Sequence, residues 1–275
     1  MNYGFNISMR HSRNEILELG KLLLKTNEFQ AIEVTYSEHM RHIDTTSYNQ
    51  AIFELVDMYK TKVLVHISDF NLSEENIILQ NAILDEFENC CKYIKAFNGH
   101  EIIMHCGSRK LMHISIRHKD GSRQTHTEVY EKMWKLSVET MKKACQIAAK
   151  YNILVYTENL TDNMLIQNAE QLQRYIRDVD EKNLYIVYDT GHGYLTSHNV
   201  SDEILKCNKW LRHLHLHDNH GSKDEHLAVG AGTIDWRSFC KALKDVNYQG
   251  ICMMELYHST YDELVKSKEI LMRYL

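Results

Sequence analysis

Tyr185-Ile186-Val187-Tyr188 is an apolar run that leads directly into Asp189-Thr190-Gly191-His192. The run is rich in β-branched and aromatic residues. It is also continuous rather than alternating, which is typical of a strand buried on both faces in a parallel sheet. The same pattern, a short apolar run that ends in polar residues, recurs along the chain. The number of its repeats decides the fold.

Eight such runs are predicted as strands. They are Tyr3–Ser8, Ala31–Thr35, Val63–Ile67, Glu101–His105, Ile153–Glu158, Leu184–Asp189, His213–His217 and Gly250–Glu255. Segments with apolar residues three and four positions apart follow them and are predicted as helices. These are Glu15–Thr26, Tyr48–Tyr59, Glu74–Phe97, Glu128–Lys150, Asn168–Arg177, Ser201–Lys206, Trp236–Lys244 and Tyr261–Tyr274.

Eight β-α units in 275 residues, with no Gly/Ser linker, predict an α/β protein that forms a single (β/α)₈ TIM barrel domain over residues 1–275. A doubly wound sheet is the alternative, but it needs about five or six strands. Neither a Gly-x-Gly-x-x-Gly motif nor a P-loop follows any of the runs.

The composition of the chain excludes some classes of protein and disfavours others. Hydrophobic residues make up 44% of the chain, charged residues 25%, and the net charge is −5, which excludes a disordered chain and disfavours a general nucleic-acid binder. No apolar run is long enough to span a membrane, and the N-terminus lacks the features of a signal peptide. The seven cysteines form no CxxC pair, so we expect reduced, mostly buried thiols and a cytoplasmic protein.

Strands three to eight each end in, or close to, a His, Asp or Glu residue. In a barrel these strand ends meet at one face, where active sites are built. Carboxylates that converge without Lys or Arg repel one another, so the pattern predicts a bound divalent cation. Carboxylate and imidazole ligands without thiolate suit Zn²⁺ or Mn²⁺, with Co²⁺ and Mg²⁺ as alternatives. No motif for an organic cofactor is present.

Four motifs carry a family resemblance. They are Ile102-Ile103-Met104-His105-Cys106-Gly107, Thr157-Glu158-Asn159, Asp189-Thr190-Gly191-His192, and His215-Leu216-His217-Asp218-Asn219 with its continuation His226–Asp235. In this order the chain resembles the xylose-isomerase-like TIM barrels from about residue 30 to 257. That superfamily contains sugar and sugar-phosphate isomerases and epimerases, together with endonucleases of the endonuclease IV type.

The resemblance to the isomerases and epimerases implies one divalent ion held by Glu158, Asp189, His215 and Glu255. It also implies that Glu158 and Glu255 are catalytic. One would take the proton next to the carbonyl of a small-molecule sugar or sugar phosphate and the other would return it, while the metal stabilises the enediolate. His192 would bind a substrate oxygen. The ketose epimerases carry an Arg shortly after the strand-seven histidine, and here only Lys223 is available.

The resemblance to the endonuclease IV members implies a different centre, with three zinc ions that activate water on a phosphodiester. All nine of their ligand positions have a counterpart here. They are His66, His105, Glu158, Asp189, His192, His215, Asp224, His226 and Glu255. Nucleic acid is a partner only under this alternative. Arg41 and Arg109 could contact phosphate of either substrate class. Asp69 has the wrong charge beside DNA, and Phe70 either wedges into DNA or packs at the barrel mouth.

A metal-dependent lyase or dehydratase and a non-catalytic sugar-binding barrel are further alternatives. The sequence leaves open whether the chain forms a homo-oligomer.

Overall fold

The computed structural model describes residues 1–8, 11–36, 44–67, 70–108, 125–161, 163–257 and 259–275. Eight parallel strands close into a barrel in which each strand pairs with its sequence neighbours and β8 pairs with β1. The strands are β1 (Asn2–Ile7), β2 (Ala31–Tyr36), β3 (Lys62–Ile67), β4 (Glu101–Met104), β5 (Leu154–Glu158), β6 (Leu184–Asp189), β7 (Leu211–Leu216) and β8 (Ile251–Met254). The predicted (β/α)₈ barrel is confirmed.

Nine α-helices surround the barrel within the described ranges. They are α1 (Arg13–Lys25), α2 (Thr46–Tyr59), α3 (Ile77–Ala96), α4 (His126–Lys150), α5 (Ala169–Val179), α6 (Thr190–Ser197), α7 (Val200–Cys207), α8 (Trp236–Asp245) and α9 (Tyr261–Tyr274). Eight of them match predicted helices to within a few residues. Helix α3 begins later than the predicted Glu74 because the Asn76 side chain caps it, accepting a hydrogen bond from the Ile78 N–H.

Helix α6 is the one described helix that the sequence pattern missed. It follows β6 without a loop, and the Asp189 side chain caps its N-terminus by accepting a 2.7 Å hydrogen bond from the His192 N–H. Its eight residues include two glycines and no apolar periodicity, so it depends on this cap and on its position between β6 and α7.

Strand residues alternate between two environments. One set, such as Ile32 and Val34 of β2, packs outward in the large apolar core shared with the helices. The other set faces the barrel interior, where Leu64, Ile103 and Val187 are part of a second, smaller apolar cluster. Towards the C-terminal ends of the strands, polar residues replace apolar ones in that interior, and the functional groups lie there. All seven cysteines are buried and free, as expected, and none of the described helices is long and apolar enough to cross a bilayer.

Candidate metal centre

The nine acidic and histidine residues singled out from the sequence converge at the C-terminal face of the barrel. Strands β3, β5, β6 and β7 carry His66, Glu158, Asp189 and His215. The remaining five lie just past strand ends, in α6, or in the connection between β7 and α8. All nine are buried or half-buried. They form three adjoining groups of side chains, which we call the first, second and third clusters.

The first cluster consists of His66, His105 and Glu158. The Nε2 atoms of the two histidines lie 3.0 Å apart. Glu158 Oε2 lies 3.4 Å from His66 Nε2 and 3.3 Å from His105 Nε2. Three potential ligand atoms therefore surround one point.

The second cluster consists of Glu158, Asp189, His215 and Glu255. His215 Nδ1 lies 3.1 Å from Glu158 Oε1 and 3.2 Å from Glu255 Oε2. Glu158 is common to the first two clusters, and its two oxygens face different ones. These four residues are the predicted single-metal site, and the structure brings them together.

The third cluster consists of His192, Asp224 and His226, with His217 beside them. Asp224 Oδ2 lies 3.3 Å from the Nε2 atoms of both His192 and His226. His217 Nε2 lies 3.0 Å from Asp189 Oδ1, and its ring stacks on that of His226 with a centroid separation of 3.8 Å. His217 thus links the second and third clusters.

The donor atoms fit divalent ions. Metal–ligand bonds of about 2.0–2.2 Å at tetrahedral or octahedral angles separate neighbouring ligand atoms by roughly 2.9–3.5 Å, and the distances given above for each cluster lie in this range. Four buried carboxylate oxygens in the clusters lack a hydrogen-bond partner, which marks them as available ligands. They are Glu158 Oε2, Asp189 Oδ2, Asp224 Oδ1 and Glu255 Oε2. Within the described ranges these carboxylates contact imidazoles and no Lys or Arg.

The histidines also present the nitrogen that a metal would need. His192 Nδ1 lies 3.1 Å from the Asn159 carbonyl oxygen, and His226 Nδ1 lies 2.9 Å from the Glu255 carbonyl oxygen. An N–H that donates to a carbonyl fixes the tautomer and leaves the other ring nitrogen, Nε2, with its lone pair. In both residues that Nε2 faces Asp224.

Without an ion, the imidazoles act as the counter-charges of the carboxylates. Burial disfavours the charged form of Glu158, yet the neighbouring imidazoles, His215 first, hold its pKa well below the usual value. Burial likewise opposes protonation of His66 and His226, but contacts with carboxylates raise the pKa of His66 to about 10 and that of His226 to about 9. The site is therefore built for positive charge, which a dication supplies more compactly.

Asn159 and Asp218 hold the cluster residues in place. Asn159 clamps the end of β6, because its Oδ1 accepts a hydrogen bond from the Asp189 N–H and its Nδ2 donates to the Asp189 carbonyl. Asp218 organises the connection between β7 and α8, which carries Asp224 and His226. Its carboxylate accepts hydrogen bonds from the N–H groups of Asn219, Gly230 and Ile234 and from the Trp236 indole.

Three further residues lie at the site. His217 ends the predicted seventh strand but was not among the proposed ligands, and His213 and Glu33 do not follow from the strand-end pattern. His213 and His217 alternate with His215 along β7 and its end, so the period of two could have placed all three side chains on the inner face. From the sequence alone, Glu33 could be either a substrate contact or an interior carboxylate. It lies beneath the clusters, with its Oε2 3.1 Å from His215 Nε2.

The other candidates named from the sequence divide into three groups by their position. Phe70 is 8% exposed and packs in the apolar core, in agreement with barrel-mouth packing. Lys223 lies on the exposed surface of the connection after β7. Arg41, Asp69 and Arg109 lie outside the described residues.

Comparison with known proteins identifies the family. Residues 22–273 match the model of the xylose isomerase-like TIM barrel family, and the chain belongs to that family. The D-psicose 3-epimerase of Enterocloster bolteae is 26% identical over 121 residues, which are 43% of this chain and 38% of that protein.

Two solved structures share the fold over nearly the full length of both chains. A D-tagatose 3-epimerase-like protein has a TM-score of 0.75 at 24% identity, with 98% of this chain and 96% of that chain covered. The IOLI protein, described with a binding zinc atom, has a TM-score of 0.76 at 17% identity, with 100% and 99% covered.

Proposed function

We propose that the protein is a divalent-metal-dependent sugar or sugar-phosphate isomerase or epimerase that works by glutamate-mediated proton transfer. One observation carries the proposal. Glu158 ends β5 and Glu255 directly follows β8, and the two carboxylates approach the same nitrogen of His215, Nδ1, at 3.1 and 3.2 Å. Two carboxylates that flank one point fit a reaction in which one side chain removes a proton and the other replaces it. The epimerase and zinc-binding relatives support this assignment.

Glu158, Asp189, His215 and Glu255 would hold the ion. When bound, a divalent ion polarises the substrate carbonyl and so acidifies the neighbouring C–H group. The carboxylates are kept ionised at neutral pH, since the imidazoles hold the pKa of Glu255 as well as that of Glu158 well below its usual value despite burial. Either carboxylate can therefore act as the base that removes the proton. For the return step, the other carboxyl group first takes up a proton from solvent and then delivers it as the acid.

The direct test follows proton exchange rather than a guessed product. The metal-loaded protein is incubated in deuterium oxide with a panel of ketoses, aldoses and their phosphates, and the sugars are examined by NMR. We expect deuterium at the carbon next to the carbonyl of at least one sugar. Loss of water from the substrate instead would identify a dehydratase. No exchange with any sugar, at a demonstrated metal occupancy, would contradict the proposal.

A trinuclear-zinc phosphodiesterase is the second candidate, because a specific observation favours it. The first and third clusters lie beside the second, and Glu158 faces two of them with separate oxygens. Such an array fits three ions that activate water and neutralise a phosphate. The burial of Phe70 counts against abasic DNA as the substrate, because a DNA wedge has to be accessible.

The second candidate has its own test. Zinc-loaded protein is mixed with a duplex that carries a single abasic site, and strand cleavage is followed on a denaturing gel. Metal-dependent cleavage at the abasic site would replace the isomerase proposal. An intact duplex at full zinc occupancy would remove the phosphodiesterase candidate.

A further inference from the structure

Glu33 is a buried carboxylate at the base of the clusters. It lies in β2, between the outward-facing Ile32 and Val34, and is 2% exposed. Its contacts are three imidazoles, and none of the described Lys or Arg residues pairs with it. Oε2 lies 3.1 Å from His215 Nε2 and 3.5 Å from His213 Nε2, while Oε1 lies 3.4 Å from His66 Nδ1.

The two oxygens of Glu33 serve different clusters. Oε1 faces His66, whose opposite nitrogen, Nε2, lies in the first cluster. Oε2 faces His215, whose opposite nitrogen, Nδ1, lies in the second cluster. One carboxylate therefore stands behind the two imidazoles that contribute to adjoining clusters.

An ionised carboxylate only accepts hydrogen bonds, so each imidazole nitrogen that faces it carries the hydrogen. In a neutral imidazole the other nitrogen then has the lone pair, and only a nitrogen with a lone pair can bind a metal. The side chain of Glu33 thus determines which nitrogen of each histidine is presented to the clusters.

We infer that Glu33 is a positioning residue that orients His66 and His215 for metal binding at the same time, through its two separate oxygens. For His215 the inference rests on the proposed metal-dependent function, and for His66 it also requires an ion in the first cluster. Glu33 contacts His66 Nδ1 and His215 Nε2, the nitrogens opposite those that lie in the first and second clusters, so its effect passes through the histidines. His66 Nδ1 also lies 3.6 Å from Glu255 Oε1.

The substitution Glu33→Gln separates this role from a merely structural one. A glutamine has the same shape but one acceptor oxygen and one NH₂ donor. The imidazole that faces the NH₂ group has to accept, which puts its hydrogen on the nitrogen that faces the cluster and prevents metal binding there. Glu33→Asp keeps two acceptors at a shorter reach. If Glu33 only fills space, Glu33→Gln should reduce metal affinity less than Glu33→Asp does. If Glu33 positions the histidines, Glu33→Asp should reduce it less.

The experiment is a Co²⁺ and Zn²⁺ titration of the metal-free protein, with affinities measured by chelator competition. We expect Glu33→Gln to weaken at least one ion by about 10- to 100-fold, the usual effect of losing a partner behind a metal ligand, and Glu33→Asp to recover part of that loss. Glu101→Gln is the matched control, because Glu101 is a buried barrel glutamate at the other end, paired with Lys62 at 2.6 Å. Its affinities should equal those of the wild type.

The outcomes are distinguishable. Wild-type affinity in Glu33→Gln, or a greater loss in Glu33→Asp than in Glu33→Gln, overturns the positioning role and leaves the proposed function standing. A wild-type protein that binds neither ion overturns the proposed function itself. Thermal melting of each metal-free variant confirms that the compared proteins are folded.

Discussion

At the residue scale, Glu158 connects two of the three clusters. Its Oε1 faces His215 in the second cluster and its Oε2 faces His66 and His105 in the first. An amide at this position would replace one anionic ligand oxygen with a donor.

We therefore predict that Glu158→Gln abolishes turnover and lowers the metal content of the purified protein. Glu203→Gln is the control, because Glu203 is also buried but contacts Lys206 and the Ala169 N–H, away from the clusters. Activity and metal analysis of the two variants check this. Unchanged turnover in Glu158→Gln would contradict the two-glutamate mechanism.

Gly191 shows why the Asp189-Thr190-Gly191-His192 motif needs a glycine. A Cβ atom on Gly191 would overlap the His217 ring, which lies against the α6 backbone and contacts Asp189.

Gly191→Ala should therefore lower the free energy of unfolding by about 1–3 kcal/mol, the usual cost of overpacking, and weaken metal binding. In the control Gly4→Ala, the new Cβ meets mainly the end of the flexible Met253 side chain, so urea unfolding should give a smaller loss. Equal losses would contradict this account.

The strand-end pattern indicated that His, Asp and Glu side chains converge, because parallel strand ends meet at one face. The set of nine residues came from the family resemblance. Glu33 was harder to assign. A sequence pattern indicates the period of a strand but not the height of each side chain inside the barrel, and it is that height that brings Glu33 beneath His66 and His215.

At the element scale, the connection between β7 and α8 carries two of the three residues that form the core of the third cluster. Asp218 holds this connection by accepting four hydrogen bonds, three from backbone N–H groups and one from the Trp236 indole. The sequence motif from His215 to Asp235 indicated that this segment belongs to the site. The conformation of its backbone depends on those hydrogen bonds and could not be predicted.

We predict that Asp218→Asn loosens this connection, because an amide NH₂ would face N–H donors and leave some unpaired, at a cost of about 1–3 kcal/mol for each. Limited proteolysis should cleave the variant within residues 219–235, and metal bound by Asp224 and His226 should be lost first. Asp235→Asn is the control, since Asp235 is exposed and an asparagine still caps α8. Wild-type protease resistance in Asp218→Asn would contradict this role.

Elements with strong hydrophobic periodicity were predicted closely, whereas α6 was missed. Its residues are poor helix formers, and its start is fixed by Asp189, which also belongs to the second cluster. The short helix is thus a consequence of the site and could not be found from periodicity.

At the scale of the whole molecule, the polar barrel interior links stability to pH. In the metal-free protein the pKa of His66 is raised to about 10 and that of His226 to about 9, because carboxylate contacts outweigh burial. A raised histidine pKa stabilises the fold fully below its unfolded value near 6.5, and that stability is lost as pH rises through the folded value.

We predict that metal-free protein loses stability to urea between about pH 6.5 and 10. Ions in the first and third clusters, which contain His66 and His226, would remove this loss because they replace the protons, whereas a single ion in the second cluster would leave it in place. On the acid side, the lowered pKa of Glu158 and Glu255 contributes stability that is lost as pH falls below about 4.5. Equal pH profiles for metal-free and metal-loaded protein would show that the ion does not bind at these histidines.

The barrel as a whole was predictable because its eight repeats are independent copies of one pattern, so an error in one boundary does not change the count. The number of metal ions was not predictable, because the four residues that would bind one ion are also among the nine that would bind three.

The most direct test of the metal centre is the metal-to-protein ratio of chelator-free wild-type protein, measured by plasma mass spectrometry beside Glu158→Gln. We predict at least one divalent ion per chain in the wild type and a clear reduction in the variant. A ratio near one favours proton transfer on a sugar, and a ratio near three with zinc favours the phosphodiesterase. No ion above background, or the same ratio in both proteins, would contradict the assignment of this site.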